Sequence, residues 1–355
     1  MQFDTEMTSV VNGAPGVSKF MLQVLLALLP AIACLFYFYG WGILINLALS
    51  IVFAVVLEAL MLFLRKHPIR MFLSDLSAVV TACLFALTLP PLISWWIPLV
   101  GLLFAIVVAK HCYGGIGYNP FNPAMVAYAV LIVSFPLQIS QWPADSLASG
   151  DWISLKQSLS IVFGLVEGNW DAITQATPLD AVRSGLIADQ SYSEIASSQR
   201  FSWFTGAAWQ YTAFAYLIGG LYLLQQRVIT WHIPSSLLLS LALVACMFWL
   251  IDDSQFASPA FHVFSGAAMI GAFFIATDPV SASTTPFGQI VYGASIGCFI
   301  YVIRTWGAYP DSVAFAVLIM NMAVPMIDYY TQPRVFGHPS AAESIKRAPG
   351  RRQKR

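Results

Sequence analysis

Two polar segments interrupt apolar stretches of this chain in a way that could hold a ligand. One is Gly114-Gly115-Ile116-Gly117-Tyr118-Asn119-Pro120-Phe121-Asn122-Pro123, and the other is Thr277-Asp278-Pro279-Val280-Ser281-Ala282-Ser283-Thr284-Thr285-Pro286. Asn, Asp and Ser side chains cap helix N-termini. Asn119, Asn122, Asp278 and Ser281 could equally turn toward an aromatic cofactor or an ion. Glu58, Asp75 and Asp328 lie within apolar runs, where an ionisable side chain is costly and tends to mark a cation or proton path. Asp75 is expected to be the most buried of the three, with Glu58 and Asp328 nearer an interface. A third segment, Asp171-Ala172-Ile173-Thr174-Gln175-Ala176-Thr177-Pro178-Leu179-Asp180, reads by residue type as a turn-forming polar stretch stopped by a proline.

Composition narrows the setting. Of 355 residues, 58% are hydrophobic and 10% charged, against about 25% charged in soluble domains. So apolar a chain cannot cover a globular surface with polar groups, and lipid must be its solvent. The 17 basic and 17 acidic residues balance, so no basic field points to nucleic acid. Cys34, Cys83, Cys112, Cys246 and Cys298 are scattered without a CxxC pair, and are expected to be small packing residues rather than metal ligands. A cleaved signal peptide is not expected, because the first apolar run follows a nearly neutral leader and continues into a second span.

The elements that must position these residues are apolar helices. Runs at 20–39, 43–64, 73–89, 95–109, 123–136, 207–224, 233–250, 262–276, 287–303 and 312–327 each approach the roughly 20 residues that cross a bilayer. The third, fifth and eighth are short. The fold expected is therefore all-α and integral to the membrane, with about ten transmembrane helices.

Basic residues orient the chain. Arg65, Lys66, Arg70, Lys110, Arg227 and the tail bases from Arg334 to Arg355 fall on one side if the spans are even in number, and that side is the cytoplasm. Both termini are then inside a bacterial inner membrane, and Arg304 is a dissenting charge outside. The basic tail is expected to be topogenic and lipid-facing. Trp95, Trp96 and Trp231 sit at span ends, as interfacial belts do. The expected organisation is a cytoplasmic N-terminus (1–19), a first five-helix repeat (20–136), a periplasmic loop (137–205), a second five-helix repeat (206–330) and a basic cytoplasmic tail (331–355).

The repeat is legible in the residues. Pro123-Ala-Met-Val-Ala-Tyr-Ala-Val-Leu-Ile132 matches Pro310-Asp-Ser-Val-Ala-Phe-Ala-Val-Leu-Ile319, and Thr88 and Thr277 each stand two residues before a proline at the end of an apolar run. The matching spans are five apart. Five is odd, so the halves are expected to be inverted, with a site near their pseudo-two-fold axis.

Together, the Gly-Tyr-Asn-Pro-Phe-Asn-Pro-Ala segment at 117–124, the Ala-Thr-Asp-Pro-Val-Ser-Ala segment at 276–282 and Ala-Thr-Pro-Leu at 176–179 carry a resemblance over nearly the whole chain. It resembles the D-subunit family of the Rnf ion-translocating electron transport complexes, which is similar to the B subunit of the sodium-pumping NADH:quinone oxidoreductase. The resemblance implies covalent FMN. A flavin transferase of that family's hosts recognises Asp-x-x-Ser/Thr-Gly-Ala-Ser/Thr and joins the phosphate of FMN to the last hydroxyl. Here Asp171, Thr174, Ala176 and Thr177 fill the pattern, Gln175 replaces glycine, and Thr177 is the implied acceptor. A second, non-covalent flavin (riboflavin) between the repeats is also implied. So are partner subunits, membrane and peripheral, that handle ferredoxin and NAD while electron flow is coupled to cation movement. A flavin carries electrons, which no ordinary side chain does well, and a tether keeps it at high effective concentration. Thr177 supplies linkage only, so no catalytic residue is assigned. An inverted-repeat solute channel or transporter without a redox cofactor shares every feature except the Thr177 motif.

Overall fold

The computed structural model describes residues 16–115, 117–144, 153–165, 174–198, 206–309 and 311–333. The first half begins with α1 (Val17–Tyr39) and α2 (Trp41–Leu64). Gly40 alone joins them. Its φ of 69° suits glycine, and its N–H closes α1 on the Phe36 carbonyl. After the short α3 (Ile69–Leu73) comes α4 (Ser77–Ala86), where the Asp75 carboxylate accepts the Ser77 N–H at 2.7 Å. Next, α5 (Trp96–Leu102) runs on as a π-helical stretch, Leu103–His111. Then α6 (Pro123–Ser134) and α7 (Pro136–Ser140) complete the half.

The intervening segment holds β1 (Trp142–Pro143), α8 (Leu155–Val162), β2 (Thr174–Gln175), α9 (Pro178–Ile187) and α10 (Tyr192–Ser198). The strands pair antiparallel, with Trp142 opposite Gln175 and Pro143 opposite Thr174. The second half contains α11 (Ala207–Gln225), α12 (His232–Ile251), α13 (Pro259–Phe264) and α14 (Ala268–Ile270), the last continuing as π-helix Gly271–Ile275. It ends with α15 (Pro286–Trp306) and α16 (Val313–Thr331).

Four helices start by one device. Asn122, Thr177, Ser258 and Thr285 each precede a proline, and each side chain accepts an N–H of the first turn. Proline at the first helical position loses no bond, because that N–H has no partner within the helix, and its φ is already helical. Each cap is worth about 1 kcal/mol.

α1, α2, α12, α15 and α16 are long and apolar enough to cross a bilayer; α4, the Trp96–His111 run and α6 are apolar but shorter. Val52, Val56 and Leu60 on α2, and Leu239, Leu243 and Met247 on α12, are exposed, as side chains facing lipid must be. The eighth apolar run, expected as one helix over 262–276, is broken at Ser265-Gly266-Ala267. Gly266 has a φ of 60°, and the buried Arg304 donates to the His262 and Ser265 carbonyls at 2.6 and 3.1 Å. The guanidinium takes over carbonyls that a broken helix would leave unpaired. It also draws Asp311 to 3.8 Å, which explains the charge that dissented from the orientation pattern.

Helices pair both between the halves and within each. α1 lies on α11, and α6 on α16. α2 packs against α4 and α5, while α12 packs against α13, the Gly271–Ile275 stretch and α15; α5 meets α6 as α15 meets α16. The α12–α15 contact needs small residues. A Cβ on Gly297 would fall 2.0 Å from Ser240 Oγ and 2.4 Å from the Leu237 carbonyl oxygen.

The intramembrane charges differ from expectation. Glu58 is the buried one, at 3% exposure, whereas Asp75 is half-buried and accepts the first N–H of α4. Lys110 is not a free topogenic base. It closes on Glu58 at 2.8 Å and donates to Ser77 Oγ at 2.9 Å. Asp328 ties α16 to the 277–286 segment by accepting from the Ser283 hydroxyl and from the Thr284 hydroxyl at 2.9 Å. All five cysteines are free thiols.

Candidate functional site

A cavity of about 430 Å³ lies between the two halves, within the size range of small-molecule sites. α6 contributes Tyr128, α11 contributes Trp209, Thr212 and Tyr216, and the broken span contributes Gly266 and Ile270. Trp142 and Tyr309 add further rings, and Trp142 packs on Trp209 with centroids 4.8 Å apart. The lining is thus aromatic and apolar with few polar groups, as suits a planar organic ligand.

Thr177, Pro178, Leu179 and Asp180 form part of the wall. Three features hold them there. The β1–β2 pair fixes Thr174 and Gln175 beside Trp142. Pro178 and Leu179 are buried, and Leu179 packs with Val182 and Phe261. Thr177 caps α9, its Oγ1 accepting the Asp180 N–H at 3.2 Å. The same hydroxyl donates to Asp180 Oδ2 at 2.6 Å. Ala176 is exposed and Thr177 half-buried, so this residue stands where the cavity wall meets the surface. Asp171 falls outside the described residues.

Asp311 lines the same cavity and accepts the Ala267 N–H at 3.1 Å. Its charge reaches Asp180. Burial pushes the Asp180 carboxyl above its ordinary value of 3.8; the Thr177 hydroxyl partly offsets this, and Asp311 raises it again.

The two polar interruptions of the sequence are linked through Ile275 and Asn321. Asn122 Nδ2 donates to the Ile275 carbonyl at 3.2 Å, across the halves. With its amide oriented to suit its neighbours, Asn321 accepts the Asn122 N–H at 3.1 Å and donates to the Ser281 carbonyl at 3.3 Å and the Tyr292 hydroxyl at 2.7 Å. Among the described residues, the Asn119 and Asp278 side chains bond within their own segments, to the Phe121 carbonyl at 3.0 Å and the Ser281 hydroxyl at 2.7 Å. Asn122 therefore joins the halves, at Ile275 directly and at Ser281 through Asn321, and Asn119 and Asp278 shape the loops.

Sequence reading assigned no role to Asp180, Asp311, Tyr128, Trp142 or Trp209. Asp180 carried a signal, since Thr-x-x-Asp is a helix-start pattern. Asp311 and the rings carried none, because helix packing and the β1–β2 pairing bring them to Thr177.

The model of the NQR2, RnfD, RnfE family matches residues 5–337. The D subunit of the ion-translocating oxidoreductase complex of Vibrio atlanticus is 50% identical over 328 residues, covering 90% of this chain and 94% of the relative. The protein of the same description from Vibrio cholerae is 49% identical over 328 residues, with 90% and 94% coverage. That from Alcanivorax borkumensis is 51% identical over 324 residues, with 91% and 93% coverage.

Proposed function

The chain belongs to the NQR2, RnfD, RnfE family, and from that premise we propose that it is the flavin-carrying membrane subunit of an ion-translocating electron transport complex. FMN is attached through its phosphate to Thr177. The observation that carries this reading is the position of the Thr177 hydroxyl on the wall of an aromatic-lined cavity of about 430 Å³. Fit is supported further by Tyr216, which lines the cavity and whose buried hydroxyl has no partner among the described residues. When bound, the flavin supplies one- or two-electron transfer.

The chain's own part is to bind and orient. Thr177 tethers, Trp142, Trp209 and Tyr128 offer ring faces and edges to an isoalloxazine, and the apolar wall excludes water. Thr174 and Ala176, with Asp171, serve recognition by the flavin transferase. A second, non-covalent flavin or an ion near Asn119, Asn122, Asp278 and Ser281 is supported by the linkage of those segments through Ile275 and Asn321. Partner subunits handle ferredoxin and NAD.

Two inverted five-helix repeats, over 20–136 and 206–330, organise the subunit, with both termini cytoplasmic and the 137–205 loop periplasmic. The pairing of helices between the halves, α1 on α11 and α6 on α16, supports this arrangement.

The test is direct. The protein is purified from a host that makes the transferase, denatured, run on a gel and viewed for flavin fluorescence. A bright band that Thr177→Ala abolishes, with elution in detergent unchanged, is expected. A dark wild-type band would leave a solute channel or transporter as the better reading.

A further inference from the structure

We propose that Asp180 is the general base for attachment at Thr177, taking the hydroxyl proton as the threonine oxygen bonds to phosphorus. This rests on the reading of Thr177 as the attachment residue. Capping of α9 uses Oγ1 only as an acceptor from the Asp180 N–H. The hydroxyl proton is not needed for that, and it points to Asp180 Oδ2 at 2.6 Å. A threonine hydroxyl is a weak nucleophile while it keeps its proton, and a base at hydrogen-bond distance is what the step requires. No other base bonds this hydroxyl among the described residues.

The surroundings suit the role. Asp311 bears on Asp180 electrostatically from another element, and Arg183 from its own helix. Burial and Asp311 make its carboxylate more basic than usual, with Arg183 opposing. The donor is a flavin dinucleotide, whose flavin-side phosphate is activated as a pyrophosphate. The Thr177 Oγ1–P bond forms, the P–O bond to the nucleotide breaks, a nucleoside monophosphate leaves, and the proton passes to Asp180. No electron changes hands. The product carries a phosphodiester charge where the hydroxyl was. An ionised carboxylate at that separation would repel it, whereas the protonated Asp180 donates a hydrogen bond to it.

The test uses the full chain in detergent, made without transferase. Purified transferase and flavin adenine dinucleotide are added, and covalent flavin is followed by gel fluorescence across pH. General bases contribute about 10²–10⁴-fold, so Asp180→Asn is expected to slow labelling by at least about 10²-fold at neutral pH. The ratio of wild-type to variant rate should shrink as acid protonates Asp180. Asp180→Ala should recover rate on addition of formate, which a merely structural role would not allow. Equal labelling rates for wild type and Asp180→Asn, or a slow variant with a constant rate ratio and no formate rescue, would overturn the inference alone. A dark wild-type band would overturn the attachment reading and this inference with it.

Discussion

Lys110 Nζ lies 2.8 Å from Glu58 Oε1, and both side chains are only 4% exposed. His111 Nε2 stands 3.2 Å from the other carboxylate oxygen, while Arg65 Nη1 approaches His111 Nδ1 at 3.4 Å. With Nδ1 accepting from Arg65, the Nε2 edge of His111 faces the Glu58 carboxylate. Removing one partner of such a pair leaves a buried charge and costs about 3–5 kcal/mol. Lys110→Met or Glu58→Leu alone should therefore lower the melting temperature in detergent sharply. The double variant should lose less than the sum. Strict additivity would show that the pair is not coupled.

Arg304 holds the break in the eighth apolar run. Arg304→Met leaves the His262 and Ser265 carbonyls and the Asp311 carboxylate without the guanidinium, and each buried hydrogen bond to a charged group is worth about 1.5–3 kcal/mol. A large fall in melting temperature is expected. Arg304→Lys should recover little of it, since an ammonium lacks the fork that reaches two carbonyls and a carboxylate. Full recovery with lysine would mean that charge, not geometry, matters here.

Gly297 lets α12 and α15 touch. Gly297→Leu must push the helices apart, at a cost of at least about 1–3 kcal/mol. Lower yield and earlier thermal unfolding are expected. Leu243 faces lipid on α12, and Leu243→Ala should leave both near wild type. Similar losses in the two variants would remove the claim that this contact is tight.

Asp180 gives stability a pH dependence of definite sign. The folded chain holds its proton more tightly than the unfolded chain, because the carboxyl is raised above 3.8. The stabilisation from that proton is complete below the unfolded value and is lost as pH rises through the raised folded value. Unmodified protein should thus lose melting temperature as pH rises through this window, and Asp180→Asn should lose less. Parallel curves for the two proteins would contradict the shift.

Several parts of the fold were legible because their causes are local. Hydropathy marked the apolar runs, and α1, α2, α12, α15 and α16 lie where those runs fall. Asn122-Pro123 and Thr285-Pro286 start helices through contacts within a few residues of themselves, as their polar segments led one to expect. Thr177-Pro178, expected as a turn stopped by proline, starts α9 instead. The break at Ser265-Gly266-Ala267 was not legible, because what stabilises it is Arg304, 39 positions beyond Ser265.

The candidate site divides in the same way. By itself the sequence determined the membrane setting, the apolar runs and the polar segments at 114–123 and 277–286 that interrupt them, all matters of neighbouring residues and solvent preference. Only the tertiary structure decided that Glu58 rather than Asp75 is buried, that Asn122 reaches Ile275 across 153 positions, and that Thr177 shares a cavity with Asp311 and Trp209. Those relationships depend on which helix faces meet, and α1 on α11 or α6 on α16 is settled by side-chain packing between distant segments, not by any pattern within one of them.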